Sequence, residues 1–343
     1  MEVTTTGLDI AKRVFQAHGV DGTGRAVLRR KLNRGEVLDL FRALPPCLVG
    51  IEACSTAHHW AREIKALGHE VRLIPAAYVK PYVKRGKTDA ADAEAICEAV
   101  TRPTMHFVPV KTPEQQAVLM LHRTRDLLVR QRTMLVNALR GHMAEFGIVA
   151  PQGISRVADL LAVLLGEDDT ALPPLAREAL RGIAAELETL GERVEEIEAT
   201  ILAWHKENEA SRRLATVPGI GPITASAIVA TVSDASNFGS ARHFAAWIGL
   251  VPKQNSTGGK PRQGGISKAG DRYLRRLLVL GATTVIRHTR AKAREGWLGH
   301  LLERRPRKVA AVAQANKTAR IVWALLARGG SYNSPVVALP EAT

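Results

Sequence analysis

Cysteine, aromatic residues, long apolar runs and, over the last third, acidic charge are all scarce in this 343-residue chain. The three cysteines, Cys47, Cys54 and Cys97, show no CxxC spacing. That excludes a disulfide scaffold and points to a reducing cytoplasm, with the thiols in apolar packing and not on zinc. No apolar stretch nears the roughly 20 residues of a membrane-spanning helix. The N-terminus, MEVTTTGLDIAKR, lacks a basic stretch followed by an apolar core, so no secretory signal is expected. No GxGxxG follows the first β-like run, which removes a dinucleotide fold. With 46% hydrophobic and 24% charged residues the composition is that of a soluble protein, and the length allows two or three domains.

Acidic charge is missing most clearly in one place. Residues 211–331 hold 21 Lys and Arg against four Asp and Glu, a net of +17 that exceeds the +15 of the whole chain. Residues 1–150 carry +7 and residues 151–210 carry −8. A block of +17 reads as a polyanion-binding surface, most simply for nucleic acid. A solvated basic face without a partner is the plain alternative. An acidic membrane would call for an amphipathic helix rich in Trp or Phe, which the block lacks.

What is present along the chain starts with a mixed pattern. TTTGLDIAK, VFQAHGV and AVLRRKL read as three strands of a meander. A helix from Asn33 to Leu44, the strand CLVGIEA, a helix from Ser55 to Leu67 and the strand EVRLIPA follow, giving an α/β sheet with helices on its faces. Residues 1–150 form one expected domain. From Thr112 to about Phe146 the period turns helical, and residues 151–210 continue as an acid-rich helical linker. There Leu187, Leu190, Val194, Ile197 and Ile201 step by three and four. That seam suits a hairpin within one subunit or a coiled coil with a second copy. Residues 211–330 read as a mainly helical domain and 331–343 as a frayed tail.

Four carboxylates carry the chemistry. Asp9 lies in the β-like run TTTGLDIAK and Glu52 ends a second apolar run, while Asp89 and Asp92 lie in the helical KTDAADAEAICEA. Residues three apart share a helix face, so the pair can point at one spot. Together with Asp9 and Glu52 they could hold two divalent cations for phosphodiester chemistry. Exposed acids near strand ends and helix starts are common, and Asp89 could instead cap its helix. Gly219 and Gly221, in VPGIG between two apolar helices, suit a helix–hairpin–helix turn that offers N–H groups to a phosphate, or simply a tight turn. His58-His59, His243 and His288 are weak metal candidates, since adjacent helical residues diverge by about 100°.

These segments, from GLDIAK through GIEAC, RGKTDAADAEAI, VPGIG and AAWIGLVPKQNSTGGK to GDRYLRRLL, together resemble the DEDD transposases of bacterial insertion sequences, the Piv/MooV-like group that includes the IS110 family. The resemblance implies a RuvC-like, ribonuclease-H-like catalytic domain, a helical linker and a C-terminal transposase domain bearing a serine. It assigns Asp9, Glu52, Asp89 and Asp92 to the acidic positions, with Mg2+ or Mn2+ as cofactor, and Ser256 to the serine position, with Thr257 as the neighbouring alternative. It implies donor and target DNA as substrates in the bacterial cytoplasm and nucleoid, a homo-oligomer, and in some members a bridge RNA encoded by the element.

A serine hydroxyl needs a base or a metal to become a nucleophile. The neighbours of Ser256 offer only cations, Lys253, Lys260, Arg262 and Lys268, suited to neutralising phosphates. Arg272, Arg275 and Arg276 open a basic helix expected to contact backbone phosphates. Arg29-Arg30-Lys31 and Lys84-Arg85-Gly86-Lys87 either bind RNA or are solvated loops. The expected function is therefore DNA recombination through a serine-linked intermediate. A RuvC-like nuclease using metal-activated water and a non-catalytic nucleic-acid scaffold are the rivals.

Overall fold

The computed structural model describes residues 2–84, 86, 88–166, 171–288 and 296–332. Arg85, Lys87 and residues 333–343, part of the expected basic loop and tail, lie outside the described residues, as do 289–295 beyond the basic helix. The chain divides into two compact units, Met1–Thr112 and Pro113–Thr343.

The first unit is built on strands β1 (Thr5–Asp9), β2 (Val14–Val20), β3 (Ala26–Asn33), β4 (Leu48–Glu52) and β5 (Glu70–Ile74). They form one sheet in the order β3-β2-β1-β4-β5. β2 is antiparallel to β1 and β3, whereas β4 runs parallel to β1 and β5. This mixed sheet fits the ribonuclease-H-like expectation. Helices α1 (Val37–Ala43) and α2 (Ala57–Ala66) cover one face, burying Leu8, Phe15, Val49 and Ile51 with Phe41, Trp60 and Ile64. After the short α3 (Ala76–Val79), α4 (Asp89–Val100) covers the other face with Ile96, Ala99 and Val100. Arg29, Arg30 and Lys31 lie exposed on the edge strand β3 and not in a loop. Charges on an edge strand discourage pairing with other chains. Cys47 and Cys97 are buried as expected, but Cys54 is exposed, in the loop between β4 and α2.

The second unit opens with the long helix α5 (Pro113–Ala144), then α6 (Val157–Leu165) and α7 (Pro174–Glu207). α5 and α7 run antiparallel: Glu114 accepts from the Trp204 indole (3.1 Å), and Arg125 pairs with Glu198 (2.5 Å). Leu180 and Leu187 of α7 pack with Val136, Leu139 and the apolar face of α6. The linker seam is thus buried within the subunit at Leu187, Leu190, Val194 and Ile201. A second core joins α8 (Glu209–Ala215), α9 (Pro222–Thr231), α10 (Ala241–Trp247), α11 (Arg272–His288) and α13 (Arg307–Arg328). α12 (Trp297–Arg304) precedes α13, and the hairpin β6 (Pro252–Gln254) and β7 (Gln263–Ile266) lies between α10 and α11. Among the described residues no helix is long and apolar enough to cross a membrane.

Candidate functional site

Side chains alternate along a strand. In β1, Leu8 enters the core shared with α1 and α2, so Gly7 and Asp9 face α4. β4 lies parallel with Ile51 opposite Leu8, and the same alternation turns Glu52 toward the α4 side. α4 begins at Asp89 because Thr88 caps it, its hydroxyl accepting the Ala91 N–H (3.2 Å). Asp89 is therefore the first helical residue and not the cap. Both aspartates sit in the first turn, where the helix's positive end favours anions.

Two missing side chains bring this helix down onto the strands. A Cβ on Gly7 would stand 2.2 Å from the Ala93 carbonyl oxygen and 2.4 Å from the Cys97 nitrogen. Gly50 is its partner across the ladder, and a Cβ there would stand 2.8 Å from Val100 Cβ. α4 rests on bare backbone at both points, and this seating carries Asp89 and Asp92 to the end of β1.

One carboxylate oxygen each from Asp9, Asp89 and Asp92 lies within 4.8 Å of the others. Glu52 is outside that group, at the adjacent strand end, yet its charge still acts on Asp9. Burial first, then the charges of Asp92, Asp89 and Glu52, push the Asp9 carboxyl up to about 6. Among the described residues no Lys or Arg pairs with Asp9, Asp89 or Asp92; Lys84 is engaged by Glu94 (2.5 Å) and Arg102 by Glu98. Convergent carboxylates are the donor set that a hard divalent cation takes, so the residues fit the metal this fold implies. His58 and His59 do not join them: His58 Nδ1 accepts the Lys111 N–H (3.2 Å), and His59 faces Glu63 at 3.9 Å. His243 packs edge-on against Phe238, and His288 is exposed at the end of α11.

In the helical unit Ser256 follows β6 and precedes a tight turn closed by the Thr257–Lys260 bridge. Gly258 and Gly259 take positive φ of 55° and 75°, which a two-residue hairpin turn of this kind requires. Ser256 and Thr257 are both exposed, as are Lys253, Lys260, Arg262 and Lys268. Among the described residues the Ser256 hydroxyl has no hydrogen-bond partner.

The basic helix divides its arginines. Arg272 is exposed, but Arg275 donates to the carbonyls of Ile248 (2.8 Å) and Ala269 (2.7 Å), tying down both ends of the segment that carries the hairpin. Arg276 pairs with Asp126 of α5 and lies 5.2 Å over the Tyr273 ring. In the turn before α9, Gly219 packs against Gly281 of α11: a Cβ on Gly281 would stand 1.9 Å from the Gly219 oxygen. Gly221 is exposed at the start of α9.

A polar network escaped the sequence reading. His122, only 1% exposed, contacts the Tyr273 hydroxyl through Nδ1 (3.1 Å) and Ser226 Oγ through Nε2 (3.1 Å). Ser226 donates to the Pro222 carbonyl (2.7 Å), so Nε2–H donates to Ser226 and Tyr273 donates to Nδ1. Burial, aided by the Arg125 charge, pushes His122 down to about 4 and keeps it neutral. Its partners lie 104 and 151 residues away, beyond the reach of any local pattern.

Comparison with known proteins identifies the family. A model of DEDD-type IS110 transposases matches residues 6–148, and the model described as transposase IS116/IS110/IS902 family matches residues 211–297. A "probable family 20 transposase" of Pseudomonas aeruginosa is 52% identical over 97% of this chain and 99% of its own length. The transposase for insertion sequence element IS1328 of Yersinia enterocolitica is 42% identical over 96% and 99%. That for IS1111A of Coxiella burnetii is 40% identical over 96% and 92%. A transposase acts on DNA, which it cleaves and transfers, and enzymes of the DEDD type generally depend on a divalent metal. With both halves matched in order and relatives aligned end to end, the chain belongs to the IS110 family of insertion-sequence transposases.

Proposed function

We propose that this transposase cuts and rejoins DNA through an intermediate in which Ser256 is esterified to a DNA phosphate, with Mg2+ or Mn2+ held by Asp9, Asp89 and Asp92 and supported by Glu52. The observation that carries the reading is the convergence of three carboxylates, within 4.8 Å, on a seat of bare backbone. Bound there, the metal would stabilise charge on phosphoryl oxygens and lower the pKa of a coordinated hydroxyl.

Ser256 Oγ releases its proton to solvent and forms a bond to phosphorus as the bond from phosphorus to a deoxyribose oxygen breaks; that oxygen takes up a proton. One phosphodiester replaces another, so an incoming strand hydroxyl can reverse the exchange without an outside energy source. Thr257 is the weaker nucleophile, being β-branched. The exposed Lys253, Lys260, Arg262 and Lys268 neutralise the phosphates around the hairpin, while Arg272 and the N–H groups near Gly219 and Gly221 hold the backbone. Residues 1–150 act as the catalytic domain, 151–210 as the linker and 211–330 as the serine-bearing domain. Met120, Leu127 and Met134, exposed at seven-residue spacing on α5, support pairing with a second copy. Sequence choice falls to a bridge RNA, because phosphate contacts position a strand without reading it.

The test is a denaturing gel of the protein incubated with donor DNA and Mn2+. Wild type and Thr257→Ala should give a DNA-linked protein band that Ser256→Ala lacks. Normal recombination by Ser256→Ala would overturn the serine step in favour of attack by water. RNA that co-purifies should sequence as one discrete structured species; active protein free of it would remove the guide.

A further inference from the structure

Behind the serine hairpin lies a groove that none of these roles uses. Its volume is about 1120 Å³, and it runs between β7 and α13 within the helical unit. The floor is apolar, with Val309, Val312 and Ile321 of α13 among its lining residues. The β7 wall presents Gly264 and Gly265, around which a Cβ would meet nothing closer than 3.9 Å, so a ligand can approach bare backbone there. Three cations, Lys308, Lys317 and Arg320, share the lining, and among the described residues no acid does. Trp297, 46% exposed, stands at the rim with the Lys317 ammonium 4.8 Å over its ring.

An apolar floor with cations and no acid rejects metal ions and basic peptides and suits an anion with apolar faces. A paired duplex hides the faces of its bases. An unpaired strand exposes them and carries a phosphate at every step, the combination that aromatic and basic grooves bind in single-stranded nucleic acid. Lys308 and Lys317 stand about 13.5 Å apart along the helix axis, enough for more than one phosphate. The same β7 strand pairs with β6 just before Ser256, and the Asn255 N–H closes the hairpin on the Arg262 carbonyl (2.9 Å). We propose that this groove binds an unpaired polynucleotide strand, with a base stacked on Trp297 and phosphates on Lys308, Lys317 and Arg320, beside the hairpin that carries Ser256. The inference rests on the transposase reading and deepens it by giving the opened strand a place.

Full-length protein is titrated into fluorescein-labelled single-stranded oligodeoxythymidine and oligouridine, followed by anisotropy, with a labelled duplex as the third arm. Trp297→Ala should weaken single-strand binding about tenfold, the scale of one lost base stack, and Trp297→Phe should stay within about threefold of wild type. Lys308→Ala and Arg320→Ala, both surface changes, should each lower the log–log salt slope by about 0.7. The stronger of the thymidine and uridine arms assigns the strand as DNA or RNA. If Trp297→Ala, folded by circular dichroism, and the two cation variants bind single strands as wild type does, or if wild type binds duplex alone, the groove proposal is overturned while the transposase reading stands. If wild type binds no polynucleotide, the groove proposal and the proposed serine recombination both fall.

Discussion

In the α/β unit Asp9, Asp89 and Asp92 ride on a buried strand and on a helix seated against it at Gly7, whereas in the helical unit Ser256 rides on a hairpin whose residues 252–260 are all exposed. The acids hold their geometry through contacts formed on folding, at the expense of burying Asp9 and crowding like charges around it, which together raise the Asp9 carboxyl. The hairpin has fixed turn geometry from Gly258 and Gly259, but among the described residues nothing packs on those glycines. One region keeps its reactive groups in place by itself. The other leaves Ser256, the proposed nucleophile, and the cations around it exposed to a ligand.

Removing a carboxylate tests this contrast with the largest effect. Asp9→Asn or Asp92→Asn should reduce recombination at least a hundredfold, beyond the roughly 10–100-fold that outer-shell changes cost, and should weaken Mn2+ binding measured by calorimetry. Unchanged recombination and unchanged metal dependence would favour the scaffold reading. Gly7→Ala should destabilise the α/β unit by about 3 kcal/mol through overpacking, or lift α4 and weaken Mn2+ binding. The control Gly35→Ala, with open space at its Cβ, should shift the thermal midpoint little. Equal midpoints for the two would refute the seating of α4.

The helical unit should respond to acid through His122. Its folded pKa of about 4 lies below its ordinary 6.5, so the unfolded chain takes the proton first. The stabilising effect of the neutral network is complete above 6.5 and is lost as pH falls toward 4, by up to about 3 kcal/mol. Urea unfolding between pH 7 and 4 measures it, and His122→Gln should flatten the slope. The smallest effect separates two arginines of α11. Arg275→Ala should cost about 1–2 kcal/mol by leaving the Ile248 and Ala269 carbonyls without a donor. Arg272→Ala should leave stability unchanged and reduce only DNA affinity and its salt slope. The reverse outcome would mean that the hairpin segment is not tied down as its hydrogen bonds indicate.

Much of the α/β unit was legible because strands with one buried face alternate and helices carry capping residues. VFQAHGV matches β2 residue for residue, and the acids stand out by type and order. The starts of α1 and α2 lie two to four residues later than expected, since Arg34–Glu36 forms a 3-10 turn and Thr56 precedes the α2 helix proper. Composition foresaw a basic C-terminal third but not which cations are engaged. Arg275 and Arg276 look like Arg272 in the sequence, and only their partners, Ile248, Ala269 and Asp126, distinguish them. The groove under the hairpin went unseen because α13 is separated from β7 by more than forty residues.

Residue types in order determined the family, the strands and helices of the α/β unit, the acidic candidates and the sign of the charge over the last third, since each depends on local periodicity, side-chain chemistry or summed charge. Tertiary structure alone decided that Asp9, Asp89 and Asp92 converge while Glu52 stands at the next strand end, that Gly7 and Gly50 set the approach of α4, that His122 is buried neutral, and which arginines are engaged. These outcomes depend on close contacts between segments far apart in the chain, where a few tenths of an ångström of backbone approach decides whether charges meet.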